Sequence, residues 1–140
     1  MTFSIASGTG SVSAAGVYTA PSSSGSAVVR ITDTAGNVAN ATVTVNAALA
    51  ISPTTKNLAI NNTQTFTGSG GVGTLTYSVA SGTGSISSST GVYTAPASSG
   101  NATVRVTDSE GRTANAVVSI ASILISPSSK ILVVSTATTF

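Results

Sequence analysis

The chain has 140 residues, of which only 6% are charged, with five Lys or Arg against three Asp or Glu and a formal net charge of +2. A surplus this small, spread over Arg30, Lys56, Arg105, Arg112 and Lys130, makes no basic patch and argues against nucleic acid or an anionic membrane as partner. With no Cys and no His, disulfides, thiolate or imidazole metal ligands, Cys or His nucleophiles and the usual neutral-pH proton shuttle are all excluded.

In chain order, residues 1–47 begin with Phe3 and Ile5 at strand spacing and continue to a Gly-Val-Tyr-Thr-Ala-Pro segment, Gly16 to Pro21. Next come two alternating runs separated by the turn Asp33-Thr34-Ala35-Gly36-Asn37. Ala27, Val29 and Ile31 share one face of the first run, and Ala41, Val43 and Val45 share one face of the second. Residues 48–121 then show a full strand succession. Leu49 to Ser52 and Lys56 to Ile60 read as one strand broken by Pro53, which cannot donate to a central ladder. Thr63 to Gly68 is the next strand, and Ser69 to Gly73 is a Gly-rich loop. Leu75 to Ala80 follows, with short pieces at Ser85 to Ser87 and Gly91 to Thr94. The closing pair turns inward Ala102, Val104 and Val106, then Ala116, Val118 and Ile120.

These elements repeat. Tyr18-Thr19-Ala20-Pro21 returns as Tyr93 to Pro96 and Arg30 to Asp33 returns as Arg105 to Asp108, both at an offset of 75. Running the other way, Ile51-Ser52-Pro53 and Thr65-Phe66 return at an offset of 74 as Ile125-Ser126-Pro127 and Thr139-Phe140. The expected organisation is the C-terminal part of one repeat (1–47, lacking its first two strands), a complete repeat (48–121) and the first strands of a third (122–140). Seven short strands in about 75 residues predict an all-β fold of immunoglobulin-like β-sandwich repeats. A solenoid repeat would be shorter and hold one or two strands each.

The segments Ile51-Ser52-Pro53, Thr65-Phe66-Thr67 before Gly70-Gly71, Gly91 to Pro96, and Val104 to Asp108 before Gly111 resemble the bacterial immunoglobulin-like repeats found in tandem on surface proteins and adhesins. The resemblance implies this fold and an extracellular or cell-surface location. It leaves function open, since such modules serve as spacers, adhesive tips and fibre subunits.

No catalytic, metal or cofactor site is expected. The Asp33 and Asp108 turns are too poor in carboxylates for calcium, which takes six to eight oxygens, and an Asp-capped turn with Gly at positive φ accounts for them. Lys56 with Asn115, and their equivalents Lys130 and Asn40, are the residue types of isopeptide crosslinks, but strand parity points Asn115 outward. Tyr18 and Tyr93 occupy equivalent places and read as structural tyrosines with satisfied hydroxyls. Asn40, Asn61 and Asn101 match the glycosylation sequon, which chance also produces in a chain so rich in Asn, Ser and Thr. The runs Ile123-Leu124-Ile125 and Ile131 to Val134 fall far short of the ~20 residues of a spanning helix, so no membrane insertion is expected. Nor is a signal peptide expected, since the Met1 region lacks a basic start and an apolar core.

The frame of the repeat carries the functional expectation. Residues 123–140 correspond to the two strands that 1–47 lacks. A tail of eighteen residues spans at most about 60 Å extended, and it cannot both form two strands and cross back over a sandwich about 35–40 Å long. The donor strand is therefore expected to be Ile125, Ile131, Leu132, Val133, Val134 and Phe140, entering an acceptor core of Phe3, Ile5, Ala27, Val29, Ile31, Ala41, Val43 and Val45 on another copy. The expected product is a non-enzymatic head-to-tail homopolymer, a fibre or surface appendage held by β-strand complementation, with any receptor unidentified. The alternative is a pair of spacer or binding modules from a large surface adhesin.

Overall fold

The computed structural model describes residues 1–122, and every regular element among them is a strand. The first repeat contributes β1 (Thr2–Gly8), β2 (Ser11–Val12), β3 (Tyr18–Thr19), β4 (Gly25–Thr32) and β5 (Val38–Val45). The second contributes β6 (Ala50–Ser52), β7 (Thr55–Ala59), β8 (Thr63–Thr65), β9 (Thr67–Ser69), β10 (Thr76–Gly82), β11 (Ser85–Ile86), β12 (Val92–Thr94), β13 (Gly100–Thr107) and β14 (Thr113–Ala121). The alternation read from the sequence is the alternation observed. Along β13 and β14, Ala102, Val104, Val106, Ala116, Val118 and Ile120 are buried, while their neighbours are not.

Residues 50–121 form two facing layers. One is the sheet β10-β13-β14-β7, antiparallel except for β7, which runs parallel to β14. The other consists of β11-β12-β8 together with the pair β6-β9. The interruption at Pro53 lets the first strand serve both layers, with β6 pairing with β9 and β7 with β14. The strand expected over 63–68 is likewise divided, at Phe66. The Phe66 N–H donates to the Gly91 carbonyl at 2.9 Å, and its ring enters the core edge-on to Tyr93, with centroids 6.4 Å apart. Ile51, Leu58, Phe66, Tyr93 and Ala95 meet the inner residues of β13 and β14 in one apolar cluster.

Residues 2–45 reproduce half of this arrangement. They form the antiparallel sheet β1-β4-β5 and the small pair β2-β3. β1 and β10 carry the same bulge, between Ile5 and Ser7 and between Val79 and Ser81. Each strand ends on a glycine at positive φ, Gly8 (86°) or Gly82 (84°), where a Cβ would strike the facing carbonyl of Ser26 or Asn101. The β4-β5 and β13-β14 hairpins turn in the same way. The Asp33 carboxylate accepts the Ala35 and Asn37 N–H groups at 2.9 Å, and the Asp108 carboxylate accepts those of Glu110 and Arg112 at 3.0 and 2.9 Å.

Candidate functional site: the inner face of the first sheet

The two repeats differ in what covers the inner face. In the second repeat Val104, Val106, Ala116 and Val118 are all 0% exposed. Of their equivalents in the first repeat, Val29, Ile31 and Val43 are half-buried and Ala41 is exposed. Val45 is half-buried where Ile120 is 4% exposed, and Tyr18 is half-buried where Tyr93 is 0%. Phe3 and Ile5 are half-buried, as are their equivalents Tyr77 and Val79. Ala27 alone of the expected acceptor residues is closed already, at 1% exposure. The uncovered area carries shallow apolar depressions. One of about 160 Å³ is lined by Phe3, Val29, Ile31, Ala39, Asn40 and Ala41. Another of about 200 Å³ lies beside it, where Met1, Ile31 and Val38 approach Asp33.

The edges match the face. β14 has β13 on one side and β7 on the other, whereas β5 has only β4 among the described residues. Likewise β12 lies between β11 and β8, and β3 has only β2 among the described residues. The groups that hold Phe66 in the second repeat are nonetheless in place in the first. The Tyr18 hydroxyl donates to the Thr9 carbonyl at 2.6 Å, as that of Tyr93 does to Thr83 at 2.5 Å. Gly16 has φ 82° where Gly91 has 70°, and its N–H donates to Ser13 O at 2.9 Å as that of Gly91 does to Ser87 O at 3.0 Å. Sequence reasoning took Tyr18 as structural and left Gly16 and Ala39 out of the face; the signal available was their spacing from Gly91, Tyr93 and Ala114. The expected donor residues Ile125, Ile131, Leu132, Val133, Val134 and Phe140 lie outside the described residues.

The remaining candidates resolve into structural roles. Asn115 accepts a bond from Arg105 Nε at 3.1 Å, and Asn40 does the same for Arg30 at 3.2 Å. Both therefore lie on the outer face, away from Lys56, which shares its parity with the buried Leu58. Asn40, Asn61 and Asn101 are all exposed. Among the described residues no three Asp or Glu side chains cluster as metal ligands, and no helix is long and apolar enough to cross a membrane.

Asp108 has a fully buried side chain that ties two loops together, accepting Val72 N–H at 3.0 Å and Arg112 Nε at 2.9 Å. Burial opposes its ionisation, but the bonds from the Arg112 and Val72 backbone and the Arg112 side chain outweigh it and hold the pKa below the ordinary 3.8. Asp33 is also lowered, chiefly by the Asn37 side-chain amide. Burial raises the Tyr93 phenol.

Two packed β layers with a split first strand and a parallel β7-β14 edge define an immunoglobulin-like β-sandwich module. Among solved structures the chain is similar to the C-terminal 282-residue fragment of intimin in complex with the intimin-binding domain of the translocated intimin receptor. The TM-score is 0.63 and the identity 18%, over 84% of this chain and 50% of that one. A four-domain N-terminal immunoglobulin segment of Dscam1 aligns at TM-score 0.38 and 18% identity, over 71% of this chain and 27% of that one. The chain thus spans half the length of the intimin fragment, and at this identity the likeness shows the fold. No protein-family model matches the sequence. No curated protein matches it either.

Proposed function

We propose that the chain is a non-enzymatic structural subunit of an extracellular or cell-surface fibre, polymerising head to tail by β-strand complementation. In this reading residues 1–47 are a sandwich lacking its first two strands, 48–121 a complete module, and 122–140 the donor. One observation supports it: Val29, Ile31 and Val43 are half-buried and Ala41 exposed, while their equivalents Val104, Val106, Val118 and Ala116 are all 0% exposed. A partly covered apolar sheet whose edges have no partner among the described residues is an association surface by default. The tail repeats the pattern of the strands that seal the second face, with Ile131-Leu132-Val133-Val134 a more apolar version of Asn57-Leu58-Ala59-Ile60.

Electron microscopy of the purified chain tests this. Filaments are expected, and they are expected to disappear when residues 123–140 are deleted. Filaments that survive the deletion would contradict the proposal. The likeness to an intimin fragment solved with a receptor domain favours a second reading, spacer or binding modules of a larger adhesin. In that case the purified chain stays monomeric at every concentration.

A further inference from the structure

Resting on the strand-complementation reading, we infer a register and an anchor: Gly16 and Tyr18 form a preformed socket for one aromatic side chain, and its occupant is Phe140 of a second copy. The second repeat supplies the template. There Phe66 bonds through its N–H to Gly91 O and sets its ring edge-on against Tyr93. In the first repeat the tyrosine is held by the same hydroxyl bond, the glycine keeps the same left-handed φ, and Phe3 packs against Gly16 as Tyr77 packs against Gly91. The Tyr18 ring is half-buried where that of Tyr93 is 0% exposed. A socket ordered before binding spares the entropy of forming it on contact.

The same template sets the direction and register of the incoming strands. β7 lies parallel to β14 with Ser119 opposite Asn57 and Ile120 opposite Leu58. Transferred by the repeat offsets of 75 and 74, Thr44 faces Ile131 and Val45 faces Leu132. β8 runs antiparallel to β12 with Tyr93 opposite Gln64, which places Thr138 opposite Tyr18. One segment thus fills both free edges. Residues 123–140 follow the described part, and Phe140 among them is the equivalent of Phe66 at the offset of 74.

Engineered cysteines read this register cleanly, because the chain has none of its own. Ser119 and Asn57 are exposed, so the equivalent pair Thr44 and Ile131 points outward. Paired neighbours about 5 Å apart are within disulfide reach, and a two-residue slip takes the Cα atoms to about 8 Å, beyond it. On oxidation, the double variant Thr44→Cys with Ile131→Cys is expected to give a ladder of covalent multimers on a denaturing gel, and Thr42→Cys with Ile131→Cys is not. A ladder from the second variant alone, or no ladder from either while sedimentation still shows assembly, overturns the register and leaves complementation standing. A crosslink confined within monomers overturns the second copy as occupant, and loss of both ladders and assembly overturns the complementation reading itself. Phe140→Ala is expected to weaken association about a hundredfold, with Thr139→Ala as the outward-facing control. Equal association by the two variants overturns the socket.

Discussion

Residues 1–47 and 76–121 form the same succession of strands and differ in how far their inner faces are buried. Both have the bulge after Ile5 or Val79, the Asp-capped hairpin, and the tyrosine hydroxyl clamped to a backbone carbonyl earlier in the same repeat. Yet the inner residues of one sheet are sealed, and those of the other are not. The comparison separates two kinds of determinant. Turn, bulge and clamp are built from bonds inside a hairpin or between neighbouring strands, so half a repeat suffices to form them. In residues 50–121 the apolar face is buried with the help of β7, β8 and Phe66, which lie outside that hairpin.

The largest contrast is expected from a carboxylate placed at equivalent positions of the two faces. Val106→Asp buries an unpaired charge and should cost several kcal/mol, enough to unfold the second repeat in thermal denaturation followed by circular dichroism. Ile31 is only half-buried, so Ile31→Asp should shift the melt less while sedimentation shows association lost. Equal destabilisation by the two would mean that the first face is already covered within one copy.

A similar contrast applies to the tail. Leu132→Asp, at the position equivalent to the buried Leu58, should abolish association. Thr136→Asp, equivalent to the exposed Asn62, should leave it within about threefold. Smaller again is the effect of Tyr93→Phe, which frees the Thr83 carbonyl beside a sealed core and should cost about 1 kcal/mol by denaturant midpoint. Tyr18→Phe, beside an open face where water can replace the bond, should cost less.

The mildest expectation concerns acid. Because the folded pKa of Asp108 lies below 3.8, its ionised bonds to Val72 and Arg112 stabilise the fold above that pH, and the contribution is lost as the pH falls through the lowered value. Asp108→Asn should therefore flatten the dependence of stability on pH below about 4, read from melting temperatures. A curve identical to that of the parent would show that these bonds do not depend on charge.

Much of the fold was legible in the residues because period-two alternation and Asp-Gly turns act locally. Ala102, Val104 and Val106 point inward as read, and Pro53 divides the first strand as read. The division of the second strand at Phe66 was not legible. It arises where the chain changes partners, from β12 for Thr63 to Thr65 to β6 for Thr67 to Ser69, which no local pattern announces. The difference in burial between Ala41 and Ala116 was not legible locally, since the two sit in nearly identical local sequence. The place of Gly16 against the Phe3 ring was not legible either, since it shows only beside Gly91 and Tyr77.

The central claim is that the first sheet is covered by another copy's tail, and hydrogen exchange along β5 tests it most directly. In the second repeat β14 is flanked on both sides, so its amides should exchange slowly at any protein concentration. Those on the outer edge of β5, from Thr42 to Val45, should exchange quickly in dilute solution and become protected as concentration rises. Deleting residues 123–140 should remove that protection. Fast exchange of the β5 edge at every concentration, or protection that persists without the tail, would contradict the account.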